Sequence, residues 1–282
     1  MNHAGYIALN GWQLTAAAAL VLINGLLSFF LKLDLGKSLL IASLRAVAQL
    51  LLIGLVLGTV FRFSHWYAVV PVMMVMTATA AFAANGRSKI AYPGRLMDSF
   101  VSVAVGGWLI TMFSLTLVMQ VHPWYDPRYA IPTLGMVLGT TLTAVALGME
   151  RVTDAFANGR PTIEAQLAMG ATRWEAAAEP IRKALTAAMI PVINQMSVVG
   201  VVSLPGMMTG QILAGEAPGN AVRYQIVVMF SIAAASAIGS GLAVFLAYRR
   251  LFSRDHRFLF ERLRATKPRR KAVKRVTPRA IS

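Results

Sequence analysis

Seven apolar runs, each close to the length that crosses a lipid bilayer, dominate this sequence. A bilayer core of about 30 Å needs about 20 apolar residues in a helix, and a helix satisfies its own backbone polar groups there. We therefore predict an all-α, polytopic protein of the bacterial inner membrane, with about seven transmembrane helices within residues 1–250. The runs cover about Trp12–Leu31, Leu39–Phe61, Tyr67–Ala84, Phe100–Val121, Tyr129–Met149, Thr186–Leu204 and Ala221–Tyr248.

The composition excludes a soluble fold and several kinds of site. Hydrophobic residues make up 57% of the chain and charged residues only 13%, against about 25% charged in soluble domains. The connections between the runs are too short to hold an enzyme domain. Cysteine is absent, which excludes disulfides and thiolate metal sites. No cofactor is expected.

Positive charge is distributed unevenly along the chain and predicts its orientation. With the N-terminus outside, the inner connections hold ten Lys or Arg and the outer ones three, and cytoplasmic loops carry the excess. Another thirteen follow Tyr248. The sequence thus predicts an outside N-terminus, an inside C-terminus and a basic, partly disordered cytoplasmic tail over 251–282. Such a tail suits anionic lipids, whereas nothing in it indicates nucleic-acid binding.

The inner connection 151–185 contains a polar segment that we call the elbow, centred on Pro161–Trp174. Pro161 suits a first helical turn, and Gly170 is a natural helix stop with a left-handed backbone. Thr172 with Glu175 then forms a capping box that starts a second helix. The sequence predicts a short helix, a glycine turn and a helix that enters the membrane. An apolar patch on the elbow comprises Ile163, Leu167 and Trp174.

The elbow resembles the EAA loop of ABC-transporter permeases, in which Glu-Ala-Ala is followed after three residues by Gly. Glu164, Ala165 and Gly170 match, while Gln166 replaces the second Ala. The resemblance implies that the segment docks a separate ATPase, with the motion transmitted through Glu164, Ala165, Gly170, Thr172 and Trp174.

The wider chain, over about residues 10–260, is similar to the FetB-type permeases. That family includes proteins proposed as bacterial iron exporters and plant aluminium-tolerance relatives. The resemblance implies a permease subunit that exports iron or another metal and forms a homodimer bound to two ATPase subunits. It rests on Leu44-Arg45 with Gln49-Leu50, the elbow, the motif Ser203–Gly215, and Ala221–Ile226.

Polar and broken positions within the runs are candidates for the transport pathway. Arg45 and Gln49 share a helix face and either face protein or water or let the arginine reach the interface. Asn194 and Gln195 either line the pathway or bond between helices. The break at Pro205 either lines a cavity or forms a packed outer turn. The candidates are Arg45, Gln49, Asn194, Gln195, Pro205, Gly206, Met207, Met208, Thr209 and Gln211.

The sequence supplies neither an ATP site nor an obvious metal site. Gly36-Lys37-Ser38 ends like a phosphate-binding loop, but Leu31 stands where its first glycine belongs. No Asp, Glu or His lies deep in a run, so metal ligands stay unknown. We expect a permease rather than an enzyme. The alternative is a self-contained channel or secondary transporter that is not driven by ATP.

Overall fold

The computed structural model describes residues 10–31, 36–63, 65–86 and 90–265. The described chain is almost entirely helical, with one short antiparallel pair of strands, β1 Ile90–Ala91 and β2 Arg264–Ala265. Its helices are α1 Gly11–Phe30, α2 Gly36–Phe63, α3 Trp66–Asn85, α4 Arg95–Phe113, α5 Pro127–Asn158, α6 Arg160–Ala168, α7 Arg173–Val198, α8 Gly206–Leu213 and α9 Pro218–Leu251.

Five helices are long and apolar enough to cross a membrane, namely α2, α3, α4, α5 and α9. The prediction of an all-α, polytopic membrane protein is therefore confirmed. Two helices that the sequence also predicts as spans, α1 and α7, are not among these five. Helix α7 carries Arg182, Lys183, Asn194 and Gln195, and these polar residues lower the mean hydropathy of the helix.

The predicted spans differ in their ends from the helices that form, most clearly the fourth, the sixth, and the fifth, whose helix continues to Asn158 rather than Met149. The fourth helix starts at Arg95 rather than Phe100 and continues as a π-helical turn over Ser114–Val118. The sixth run, expected to reach Leu204, stops being helical at Val198. There Val199 is extended and Gly200 has a φ of 84°, so the chain turns before Pro205.

The centre of the bundle is built by α4, α5 and α9, which approach closely at small residues. Gly106 of α4 lies against Gly239 of α9, where an added Cβ on Gly106 would meet the Ala235 carbonyl oxygen at 2.8 Å. A Cβ on Gly239 would meet Thr141 of α5 at 2.7 Å. Small residues let membrane helices approach closely enough for dispersion contacts to hold them together.

The relative direction of the helices defines two ends of the bundle. Helices α5 and α9 run parallel, since Tyr129 and Tyr224 line one cleft at their beginnings and Phe156 contacts Phe252 at 5.3 Å near their ends. The elbow follows α5 directly, so we call this the elbow end. The opposite end carries the starts of α5 and α9.

The chain does not leave the bundle after α9. Residues Phe252–Ala265, which we call the strap, turn back against the elbow end, and β2 of the strap pairs with β1. Leu259 donates its N–H to the Leu251 carbonyl oxygen at 2.8 Å. Residues 252–265 of the predicted tail thus pack against the bundle, and the expectation that the tail is partly disordered stays a prediction. Its remainder, 266–282, and most of the proposed lipid contact lie outside the described residues.

Candidate functional site

The elbow forms as a helix, a glycine turn and a second helix. At the end of α6, Gly170 donates to the Leu167 carbonyl oxygen at 3.1 Å and Ala171 donates to that of Gln166 at 3.0 Å. These are the two bonds of a Schellman turn, and Gly170 has the expected left-handed φ of 92°. The prediction that Gly170 ends the first helix is confirmed.

The second helix begins with the predicted capping box. The Thr172 hydroxyl accepts from the Glu175 N–H at 3.3 Å, and a Glu175 carboxylate oxygen accepts from the Thr172 N–H at 2.7 Å. The Thr172 backbone donor, and after it the Thr172 hydroxyl, lowers the pKa of Glu175 below its ordinary value. The carboxylate cap therefore stabilises α7 above that ordinary value and is lost only as the pH falls through the lowered pKa.

The exposed face of the elbow combines charge with two large apolar side chains. Glu164 and Arg160 form an ion pair at 2.7 Å with both side chains about half exposed. Ala165 is exposed, and Met169 and Trp174 are 80% and 51% exposed. This face could contact another protein through both charge and apolar surface.

The apolar patch predicted on the elbow has a different composition in the structure. Ile163 is buried in the main core and Leu167 packs partly buried against it, so both hold α6 to the bundle. The sequence analysis missed Met169, whose position one residue before the stop glycine was the available signal. The large apolar side chains that remain exposed on the elbow are Met169 and Trp174.

The strap contacts both helices of the elbow and holds them in place. His256 accepts from the Arg173 N–H at 2.9 Å through Nδ1, and the Arg173 guanidinium donates to the Ser253 carbonyl oxygen at 3.1 Å. The Arg160 guanidinium lies 4.3 Å from the centre of the Phe260 ring. Sequence reasoning missed these contacts. The aromatic residues among the basic ones, Phe252, Phe258 and Phe260, were their only signal.

A partly buried ion pair ties the elbow end together. Asp98 of α4 is 2% exposed and accepts from the Arg250 guanidinium at 2.6 Å. Burial, and after it the charge of Asp98, raises the pKa of the neighbouring Tyr92. The Arg250 guanidinium also occupies the space where a Cβ on Gly94 would stand. The strap reaches the same residue, because Arg262 donates to the Arg250 carbonyl oxygen at 2.9 Å.

The pathway candidates lie on three separate elements. Arg45 and Gln49 are exposed on α2, which packs chiefly on α1, and Asn194 and Gln195 are exposed on α7. Within the described part of one copy, neither Asn194 nor Gln195 forms the interhelical hydrogen bond that was one of the two expectations. The structure therefore does not gather α2 and α7 candidates into one site within a single copy.

The segment that contains Pro205 and α8 packs against neighbouring helices. Met207 of α8 packs against a buried cluster that includes Val228 of α9 and is also contacted by Met196 of α7. Pro205 precedes α8, and Thr209 donates its hydroxyl to the Pro205 carbonyl oxygen at 3.2 Å. Met208, Thr209 and Gln211 are half-buried, while Gly206 is exposed. Segment 205–211 thus forms a short helix at the end opposite the elbow.

Metal-binding groups are sparse where the structure can be described. Across residues 10–31, 36–63, 65–86 and 90–265, no group of three or more His, Cys, Asp or Glu side chains could hold a metal ion.

Comparison of the sequence with known proteins finds a matching family. The family model described as "Uncharacterised protein family (UPF0014)" matches residues 11–252. The UPF0014 membrane protein slr1647 of Synechocystis is 37% identical, covering 88% of this chain and 95% of the relative. The "probable iron export permease protein FetB" of Escherichia coli is 32% identical over 89% and 96%. The protein ALUMINUM SENSITIVE 3 of Arabidopsis thaliana is 31% identical over 86% and 87%. No solved structure matches the chain.

Proposed function

Because this chain belongs to the UPF0014 family of membrane proteins, we propose that it is the membrane-spanning permease subunit of an ABC transporter. In this proposal a separate ATPase subunit drives the export of iron or another metal. The chain itself is a multi-pass membrane protein. It hydrolyses no ATP and supplies the route across the membrane.

The exposed elbow is the observation that carries the proposal. It carries the exposed side chains Glu164, Met169 and Trp174 on a helix–turn–helix held by a Schellman turn, a capping box and the strap. A surface fixed on both sides can transmit a push from a docked protein into α7 instead of yielding locally. Helix α7 continues from the elbow for 26 residues, about 39 Å at 1.5 Å per residue, so such a push would reach the opposite end.

The orientation and the assembly belong to the same proposal. We place the N-terminus outside and the elbow end inside, with seven spans in which α1 and α7 join the five apolar helices. The most apolar stretch of α2 has none of its residues buried, yet α2 carries Arg45 and Gln49. A charge at membrane depth costs about 2.5 kcal/mol or more on insertion scales. A second copy packed on α2 would cover these side chains, and we therefore propose a homodimer that binds two ATPase subunits.

The choice of iron as the transported metal is based on the name of one relative. The E. coli relative is named for iron export, and we extend this to the present chain. Because metal-ligating side chains are sparse in the described residues, we propose that metal crosses in complexed form or along carbonyl and hydroxyl oxygens.

One purified system tests the permease proposal. The chain is co-expressed with a candidate ABC ATPase from the same organism, purified, and reconstituted in vesicles with iron and ATP supplied on the ATPase side. We expect a stoichiometric complex with ATP-dependent iron movement. Glu164→Lys should lower ATPase association at least about tenfold, since like-charge contacts at an interface can cost several kcal/mol.

Glu179→Lys is the matched control. Glu179 is exposed and pairs with Arg182 and Lys183 on α7, so its replacement makes the same charge change beside the elbow. We expect it to associate like the parent. Iron movement that needs neither ATP nor the ATPase would favour the self-contained channel or carrier and discard the proposal. Another transported solute would discard iron alone.

A further inference from the structure

A polar cleft lies at the end of the bundle opposite the elbow. Its volume is about 660 Å³, and it is formed by the start of α5, the end of α8 and the start of α9. It is lined by Tyr129, Gln211, Ala214, Gly215, Glu216, Asn220, Arg223 and Tyr224. From Tyr224 to Tyr248, which contacts Trp174 of the elbow, α9 rises about 36 Å. The cleft is therefore separate from the elbow.

The backbone places the cleft's polar groups side by side. At the end of α8, Glu216 donates its N–H to the Gln211 carbonyl oxygen at 3.0 Å, which turns Glu216 back beside Gln211. Asn220 and Arg223, with Tyr224, are spaced three and four residues apart and so share a face of α9. Asn220 donates its amide to a Glu216 carboxylate oxygen at 2.7 Å, which fixes the carboxylate at the cleft.

Three groups in the cleft still have bonding capacity. Among the described residues, the Arg223 guanidinium has no ion-pair partner, and Oε2 of Glu216 has no donor. Oε1 of Gln211 is buried and accepts no hydrogen bond, although such an acceptor costs free energy when left unpaired. The cleft thus offers one cation, one anion and one carbonyl oxygen that needs an N–H or O–H donor.

No simple anion, simple cation or bare metal ion satisfies all three of these groups. A polyanion would meet Glu216, and a simple cation would meet Arg223. A bare metal ion finds only one carboxylate there, and the described chain holds no cluster of metal-ligating side chains. A compact molecule with opposite charges at its two ends satisfies all three groups. Its oxyanion would bind Arg223, and its ammonium would donate to Glu216 and to Gln211.

We propose that this cleft binds a compact zwitterion in which a primary ammonium group lies two or three atoms from a phosphate or carboxylate. Such a group occurs in soluble β-amino acids and in ethanolamine phospholipid headgroups. Tyr129 and Tyr224 lie where the apolar stretches of α5 and α9 begin, and tyrosine is enriched at the level of membrane headgroups. The cleft is therefore open to both sources.

Binding to the purified full-length chain tests the proposal without any ATPase. Titration calorimetry in detergent would use O-phosphoethanolamine and β-alanine as zwitterions. Phosphocholine, which has no ammonium N–H, and propionate, which has no cation, are the controls. We expect both zwitterions to bind at least about tenfold more tightly than either control, as the loss of one charge-assisted hydrogen bond predicts.

Two variants assign the binding to the cleft. Arg223→Gln and Gln211→Leu should each weaken zwitterion binding at least about tenfold. Gln211→Leu removes an unpaired acceptor, so it should keep the parent's thermal stability and separate a lost ligand contact from misfolding. Arg128→Gln is the control, because Arg128 is exposed near the cleft but does not line it. Equal binding of zwitterions and controls, or unchanged binding in Arg223→Gln, would overturn the proposal.

Nanodiscs identify the source of the zwitterion. If discs of phosphatidylethanolamine abolish β-alanine binding while discs of phosphatidylcholine and phosphatidylglycerol preserve it, the lipid headgroup occupies the cleft. If β-alanine binds equally in both discs, a soluble zwitterion occupies it. Both results support zwitterion recognition, whereas absence of β-alanine binding in both discs and in detergent contradicts it. None of these readouts depends on metal transport.

Discussion

At the scale of single residues, the turn at Gly170 determines whether the elbow keeps its shape. Its φ of 92° lies in the left-handed region, and no neighbouring atom occupies the space where a Cβ would stand. A substitution there is thus strained by its backbone alone and not by crowding. This makes Gly170 a position at which the turn can be perturbed without disturbing the bundle.

We expect Gly170→Val to insert and accumulate normally but to lose ATPase-coupled transport. Valine is β-branched, and a non-glycine residue in a sparsely populated backbone region costs about 1–3 kcal/mol. That cost would shift the α6–α7 turn out of its Schellman geometry. ATPase association and ATP-dependent transport by the reconstituted variant measure the effect.

Gly170→Asn is the matched control for this prediction. Asparagine adopts left-handed backbone more readily than other residues with side chains, so it should retain more coupling than valine. If valine and asparagine both transport like glycine, the shape of this turn is unimportant for coupling.

At the scale of elements, patterns contained within one segment could be predicted from sequence, whereas contacts between distant segments could not. The stop at Gly170 and the Thr172–Glu175 box depend on neighbours within a few residues, and both form as expected. The burial of Ile163 depends instead on how α6 docks onto the bundle. The strap is a stronger case, since Arg173 and His256 lie 83 residues apart.

The early end of α7 shows a similar limit. Apolar character continues to Leu204, but the backbone turns at Val199 and Gly200. Hydropathy reports the tendency to leave water and does not report backbone geometry. Gly200 and Pro205 were the available signals. The candidates on α2 and α7 stay apart within one copy for the same reason, because their placement is decided by packing and not by local pattern.

The strap leads to a prediction about the stability of the elbow. Phe258 stacks within 5.0 Å of Phe252 and 6.1 Å of Phe156, measured between ring centres. Aromatic pairs of this kind contribute about 0.5–1.5 kcal/mol beyond their buried area. We expect Phe258→Ala to loosen the strap and to speed hydrogen exchange of the backbone amides in α6 and the first turn of α7.

Phe230→Ala provides the comparison for the strap variant. Phe230 is 62% exposed on α9 and does not belong to the strap, so the exchange of α6 should remain at the parental rate. Hydrogen exchange read by mass spectrometry resolves both regions. Equal exchange in α6 for the parent and Phe258→Ala would mean that the strap does not brace the elbow.

At the scale of the whole molecule, the two ends of the bundle differ in chemistry. The elbow end holds the Asp98–Arg250 pair, the strap and the charged elbow, while the opposite end carries aromatic residues such as Trp66 and Trp124 and the polar cleft. This asymmetry agrees with the positive charge that the sequence concentrates in its predicted inner connections. In the proposed orientation, the cleft and the elbow face different compartments.

We expect reporters at the two ends to report opposite sides of the membrane. An alkaline phosphatase insertion between His122 and Asp126, active only outside, should give high activity. The same reporter fused after Ser282 should give none, and a fluorescent protein that matures only inside should show the reverse pattern. Reporters that agree at both positions would refute the orientation and move the proposed docking face to the wrong compartment for ATP.

The strap also has a consequence for how the protein is made. Residues 252–265 are synthesised after all nine described helices, yet they complete the surface that α6 and α7 present. A ribosome adds about 5–20 residues per second, so the elbow leaves it seconds before the segment that braces it. The proposed docking face is therefore unfinished on every nascent chain. A prematurely terminated chain could insert its helices and still present no completed surface to a partner, so assembly would itself reject truncated products.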